Sequence, residues 1–556
     1  MEIAATFLFE QSYISMSHLE TLTREVRQSC RSLIRERHFT VTVILIFALC
    51  LAANVAIFAV VNGVLLKPLP FTDPHRLVLV SNSYPKAGVE RAGASVPHYL
   101  ERKKEIAAFA ETAAVKASGV TIGDAGSPER VESTSATPSF FRVLGATAAL
   151  GRTFTEDEGV YGKHQVVVLS DGLWRERFGA DPHAIGKSMR INTETFTIVG
   201  VMPPNFKYLG QTARLWTPLC FSDDDRKPQQ RHSNNMEMIA RLKPGVSLAE
   251  AQTQLNALNE QTLKTDPYAK LVADAGFRTS VYDLGDDFVA QLRPTLLLLQ
   301  AGVFFLLLIG MVNLANLFLV RATGRAKEYS VRQALGASIG QLVRSLVVES
   351  LILSVVGGVV GIAVGAAAFR SIALIGLEQL PLPASARLEP TVMAVGMGAS
   401  VVLGLLLILP VIWHYVRGNP TAALSVESRG GTTTRSVHRL RHGLIVVQIA
   451  LAFVLLSGTG LLGLSFIRVL AVNPGFRPEN VLTAELSLPY NQYKDEKVRL
   501  AFIDKLGAEL GAIPGVSAAG IGSSLPFSGG ADNNAISIEG RTLAAGESLQ
   551  AHFTSG

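Results

Sequence analysis

The chain has 556 residues, a formal net charge of +6 and only 17% charged residues, well below the roughly 25% of a soluble globular protein. The deficit is local: five apolar stretches are each long enough to cross a hydrocarbon core of about 30 Å, which excludes a wholly soluble protein. The basic excess brackets those stretches, so it reads as a topology signal rather than a nucleic-acid surface.

Residues 1–40 read as a cytoplasmic N-terminal segment, with Met1 or Met16 as the start. A basic amphipathic helix follows, with Leu19, Leu22, Val26, Leu33 and Ile34 as its apolar positions. The first span covers 41–66. Its length exceeds that of a signal h-region, and Lys67-Pro-Leu-Pro70 does not resemble a cleavage site, so it is expected to stay as an anchor.

Residues 67–293 form a large polar segment. Arg76–Val80, Gln165–Leu169 and Thr195–Val201 are β-type runs. Pro138–Leu144 and Asp171–Phe178 have helical spacing, and Ser247-Leu-Ala-Glu250 is a capping-box pattern opening a helix to about Thr262. The mixture predicts an α+β domain.

The second span is 294–320, followed by a basic loop at 321–344. The third span is 345–370, a short loop occupies 371–390, and the fourth span is 391–416, in which Pro410 predicts a kink. A basic linker at 417–441 leads to the fifth span, 442–467. Residues 468–556 start what reads as a second, truncated outer domain, because Val472–Leu482 repeats the Pro-containing exit of the first span at Leu69–Val78.

Arginines cluster before the first span, at 321–344 and at 417–441. The positive-inside rule therefore puts those segments and the N-terminus in the cytoplasm, with 67–293 and 371–390 outside. Cys30, Cys50 and Cys220 then fall in three different environments, and no disulfide framework is expected.

Two motifs fail on context. Gly458-Thr-Gly-Leu-Leu-Gly463 matches a dinucleotide fingerprint but lies inside a span, where small residues serve close helix packing. Gly336-Ala-Ser-Ile-Gly340 matches a nucleophile elbow, but its neighbours are helical: Gly336 suits a helix end and Ser338-x-x-Gln341 an N-cap. No phosphate loop and no metal-ligand pair is present. His75, His98, His164, His183 and His232 lack ligand spacing, so a membrane-anchored enzyme would require a pocket of converging His, Asp and Ser side chains in 67–293.

In the third span Gly357, Gly361 and Gly365 make a small-residue stripe for helix packing. Glu349, an acid at membrane depth, must be paired, hydrated or protonated, with Arg344 or Arg332 as the expected partner. Asn54, Asn313 and Asn316 are expected to form interhelical hydrogen bonds. Glu328 and Arg332 stand at i, i+4 and would steady a short helix.

The stretch Arg321–Ser350, with Arg332-Gln-Ala-Leu-Gly-Ala-Ser338 at its centre, resembles the permease signature of the MacB/FtsX family of ABC transporters. Asn54-Val-Ala-Ile-Phe58, Leu65–Pro70 and Asp73–Leu77 resemble the first span and outer-domain start of the large two-repeat permeases of that family. The resemblance implies an α-helical multi-pass protein of the bacterial inner membrane, with an α+β domain of the periplasmic core type. It also implies a cytoplasmic coupling helix within 321–344, whose Glu328, Arg332, Ala334, Leu335, Gly336 and Ala337 would transmit nucleotide state from a separate ATPase.

On that reading the chain is not itself an enzyme. ATP and Mg²⁺ would bind the ATPase subunit, and lipid, a second permease copy or half and a periplasmic adaptor are the further expected partners, with no nucleic acid. The expected function is mechanical coupling for efflux or extraction. The alternative is an FtsX-type signalling scaffold that activates a periplasmic partner without transport. MacB itself carries a fused ATPase, which this sequence lacks.

Overall fold

The computed structural model describes residues 23–123, 128–204, 206–209, 213–290, 292–325, 328, 331–332, 335–374, 388–417, 432–473, 479–484, 486, 488, 493, 495–522, 532–536 and 549–553. Met1, Met16, Leu19, Leu22, Ala334, most of 371–390 and the centre of the 417–441 linker lie outside them. The chain forms two compact units, residues 1–67 with 292–479 and residues 68–291 with 480–556.

The first unit is helical. An N-terminal helix at residues 23–35 ends at Glu36, whose backbone (φ −101°, ψ 51°) leaves the helical region before the next helix starts at Arg37. Among the described residues five helices then have span length and hydropathy: Arg37–Leu66, Arg293–Gly324, Ile339–Ser371, Pro390–Trp413 and Arg439–Leu470. The shortest has 24 residues, about 36 Å at 1.5 Å per residue, enough for a bilayer core. The fourth helix runs through Pro410.

Lipid tails are as apolar as leucine, so these helices associate by close packing and hydrogen bonds rather than by the hydrophobic effect. The third span shows both. A Cβ built on Gly357 would meet Phe47, one on Gly361 would stand 3.0 Å from the Ala48 carbonyl oxygen, and one on Gly365 would stand 3.0 Å from that of Ala52. Only glycine allows the first and third spans to approach this closely.

On an adjacent ridge, Ser350 Oγ donates to the Gly404 carbonyl at 2.6 Å and Ser400 Oγ to that of Ser354 at 2.5 Å, joining the third and fourth spans. Asn54 Nδ2 donates to the Val303 carbonyl at 2.8 Å and joins the first and second. The close packing expected of Gly458, Gly460 and Gly463 is not found: nothing among the described residues lies within 4 Å of a Cβ at any of them.

In the second unit, eleven strands form one mixed sheet. In chain order they are β1 (Leu77–Tyr84), β2 (Val89–Ala92), β3 (Phe109–Ile122), β4 (Glu129–Ala136), β5 (Leu150–Gly151), β6 (Val166–Leu169), β7 (Ser188–Ile191), β8 (Glu194–Val201), β9 (Leu215–Pro218), β10 (Glu237–Leu242) and β11 (Arg278–Asp283). The main order is β11-β1-β10-β3-β4-β9-β6-β8-β5, with β4/β9 and β6/β8 parallel. Helices Val96–Glu105, Phe140–Leu144, Asp171–Phe178 and Leu248–Leu263 interleave, the last capped by Ser247 Oγ accepting from the Glu250 N–H. The domain is α+β, built around apolar clusters such as Phe140, Phe141, Phe154 and Trp216. Residues 480–556 contribute a helix, Glu496–Gly511, and a hairpin of Asp532–Ile536 with Leu549–Phe553.

Candidate functional site: an ion-paired junction at the ends of the second and third spans

The second span ends with Arg321 and Arg325 one turn apart, on one helix face. Arg321 Nε reaches Glu36 Oε2 at 2.7 Å and its Nη1 reaches Glu349 Oε2 at 2.9 Å. Arg325 Nε donates to Glu36 Oε1 at 2.9 Å, its Nη2 to Ser32 Oγ at 2.7 Å, and its Nη1 lies 3.4 Å from Glu349 Oε1. Two acids and two guanidinium groups alternate, so the junction is neutral as a whole. Arg321 also lies 4.4 Å above the Phe39 ring, which in turn packs edge-on to Phe318.

The junction is largely desolvated: Glu349 keeps 6% of its side-chain surface and Arg321 9%. Charges in such a place depend on their mutual pairing, and removal of one member leaves the others with uncompensated charge. Arg344 Nε adds a further tie to Glu25 Oε1 at 2.8 Å. Through Glu25, Ser32 and Glu36, the region around the N-terminal helix therefore holds both the end of the second span and the beginning of the third.

Between these anchors lies the short turn of the loop. Glu328 and Arg332 pair at 2.5 Å. Gly336 takes φ +96°, a left-handed backbone that favours glycine, and the Ala337 N–H donates to the Arg332 carbonyl at 3.0 Å. That six-to-one bond closes the preceding helix as a Schellman turn. The next helix opens with a reciprocal cap, Ser338 N–H to Gln341 Oε1 at 3.1 Å and Gln341 N–H to Ser338 Oγ at 3.3 Å. A stop and a start within three residues make a sharp, defined corner. Its tip is apolar and open to solvent, with Leu335 83% exposed and Val331 50%.

Two expectations need correction. Glu349 pairs with Arg321 and Arg325, not with Arg344 or Arg332, because Arg344 is engaged by Glu25 and Arg332 by Glu328. Neither Asn313, which is exposed, nor Asn316, whose Oδ1 is buried without a partner, makes an interhelical hydrogen bond among the described residues. Glu36 was missed: one glutamate in an arginine-rich segment gives no sign that it is the bridge.

A second polar cluster lies within the outer domain. His232 Nε2 is 2.8 Å from Asp266 Oδ2 and its Nδ1 2.7 Å from the Tyr84 hydroxyl. The ring packs edge-on to that of His98, whose Nδ1 is 3.1 Å from Asn82 Nδ2. Arg102, 1% exposed, donates to Asn82 Oδ1 at 2.6 Å and Thr279 Oγ1 at 2.8 Å.

Burial drives the Arg102 guanidinium down to about 10 and the Tyr84 hydroxyl up to about 12. Burial, with the positive charge of Arg102 next, pushes His98 well below the ordinary histidine range. Two of the five histidines thus converge, but among the described residues no serine or cysteine side chain is hydrogen-bonded to either ring: Ser95 Oγ donates to the Arg231 carbonyl at 2.6 Å and caps a helix at the His98 N–H. The cluster is a hydrogen-bonded core. Among the described residues no group of His, Cys, Asp and Glu has metal-site geometry, and the three cysteines are free.

These features define a multi-pass membrane protein with an α+β domain of periplasmic type placed in sequence between its first and second spans. Residues 40–258 match the family of MacB-like periplasmic core domains, and residues 301–420 match the FtsX-like permease C-terminal family. The chain belongs to the MacB/FtsX family of ABC-transporter permeases.

Among its relatives, the Macrolide export ATP-binding/permease protein MacB of Chromobacterium violaceum is 26% identical over 206 residues, 37% of this chain and 30% of that protein. The Probable syringafactin export ATP-binding/permease protein SyfD of Pseudomonas syringae pv. tomato is 26% identical over 200 residues, 36% of this chain and 28% of that protein. These matches span less than a third of the relatives' length. A crystal structure of the periplasmic region of MacB from Actinobacillus actinomycetemcomitans is similar at 14% identity and TM-score 0.29, covering 42% of this chain and 95% of that one.

Proposed function

We propose that this permease takes nucleotide-driven movement from a separate ABC ATPase at 321–344 and passes it through the spans to the outer domain, in the service of efflux or extraction of a substrate. The observation that carries the reading is the exposed apolar corner at Leu335, standing between two ion-paired helix ends. An 83% exposed leucine on a fixed turn offers an apolar tip to the apolar core of a protein interface.

Arg321, Arg325 and Glu349 flank the corner on both sides and are tied to each other, so displacement of the corner loads both spans together. The first and third spans share a close glycine seam and move as one body. On this reading ATP and Mg²⁺ bind the ATPase, and the N-terminus and 321–344 lie in the cytoplasm.

Co-purification with candidate ATPases tests the proposal. Leu335→Asp should abolish capture of the ATPase while leaving thermal stability unchanged, whereas Gly336→Val should weaken both. Retention of the ATPase by Leu335→Asp would overturn the reading. In reconstituted membranes, ATP-dependent substrate movement supports transport, while activation of a periplasmic partner without flux would assign the same coupling to signalling.

A further inference from the structure

The N-terminal helix at residues 23–35 divides its charges by face. At 100° per residue, Glu25, Ser29, Ser32 and Leu33 fall on one side. Glu25 holds Arg344, Ser32 holds Arg325, and Ser29 and Leu33 are buried. Arg24, Arg27, Arg31 and Arg35 fall within a sector of about 80° on the opposite side, and all four are exposed. None of the four has an ion pair among the described residues, although the same helix gives its acid to the spans. Ile34, expected on the apolar face, stands 75% exposed at the edge of the arginine stripe.

The helix breaks at Glu36, directly before the first span, while its inner face stays tied to Arg325 of the second span and Arg344 of the third. This puts the stripe at the level where spans meet the polar surface of the bilayer. Four exposed guanidinium groups without an ion pair among the described residues, with an exposed isoleucine beside them, match an interfacial helix facing lipid phosphates with an apolar residue for the acyl boundary.

We infer that Arg24, Arg27, Arg31 and Arg35 form a binding surface for anionic phospholipid headgroups of the adjoining leaflet. The surface is on the back of the element that clamps the ion-paired junction, so lipid charge bears on the same helix that positions Arg321 and Arg325. The inference does not depend on the ATPase reading.

The full chain in nanodiscs of phosphatidylcholine with about 30 mol% phosphatidylglycerol tests it. Ile34→Trp adds a reporter, and its emission is taken as the difference from the parent chain, which already has three tryptophans. Quenching by dibrominated phosphatidylglycerol should show the indole about twofold enriched in that lipid over its bulk fraction. Replacing all four arginines by glutamine should return contact to bulk, replacement by lysine should preserve it, and half-molar salt should reduce it.

Contact at the bulk fraction in Ile34→Trp would overturn the inference by showing a merely solvated basic face. Enrichment that survives the glutamine replacements would overturn it as well. If lipid contact stays at bulk but the glutamine variant loses ATPase capture, the stripe faces the partner protein instead.

Discussion

Two of the buried polar clusters among the described residues are built differently. In the outer domain, Asn82, His98, Arg102 and Thr279 are held by a sheet and the helix beside it, and the network combines neutral groups with one guanidinium. At the span junction, Arg321 and Arg325 at the end of one helix and Glu36 at the break between two others meet Glu349, about three turns into the helix that starts at Ile339, and the network is charged apart from the Ser32 hydroxyl. The first is locked by a rigid scaffold on several sides. The second depends on its own charge balance, and a junction of that kind can respond as a unit when one helix end moves.

The largest test of this contrast is Glu349→Ala, which leaves two largely buried guanidinium groups facing the single carboxylate of Glu36 and should destabilise the helical unit by about 3–5 kcal/mol. Joint replacement of Glu36, Glu349, Arg321 and Arg325 by methionine should recover most of that loss in thermal unfolding in detergent, and no recovery would sink the charge-balance account. Next, Gly361→Val at the seam should cost about 1–3 kcal/mol by overpacking the first span, read as a lower melting temperature with the outer domain unaffected.

The outer cluster should respond to pH. His98 and His232 are held below the ordinary histidine range mainly by burial, with Arg102 and Arg231 adding to the effect and Asp266 opposing it at His232. The unfolded chain therefore takes up protons that the folded domain refuses. Stability is present above the ordinary histidine pKa and is lost as pH falls below about 6.5, by up to about 1.4 kcal/mol per pH unit for each group. Denaturant midpoints followed by Trp216 fluorescence should drop between pH 7.5 and 5.5, and His98→Phe should flatten the slope. Smallest is Glu328→Ala: the exposed pair with Arg332 is worth about 0.3–0.5 kcal/mol, so stability should barely move.

Much of the fold was legible because its signals are local. Apolar runs of bilayer length, the β-branched stretch at Thr195–Val201 and the cap at Ser247 each report on their own neighbours. The turn at Gly336 and Ser338 was legible for the same reason. The family was legible in the residues around Arg332-Gln-Ala-Leu-Gly-Ala-Ser338.

Sequence by itself determined that this chain spans a membrane repeatedly and carries an α+β domain, since hydropathy and periodicity need no knowledge of partners. Tertiary structure decided which charge meets which. Glu349 had several arginines within reach along the chain, and the choice of Arg321 and Arg325 came from the approach of the second span to the third, while Glu36 joined them from some 285 residues away in sequence. It likewise brought together His98 and His232, which no spacing connects. Charge pairing and burial depend on distances between segments remote in sequence, and those exist only once the helices and strands have packed.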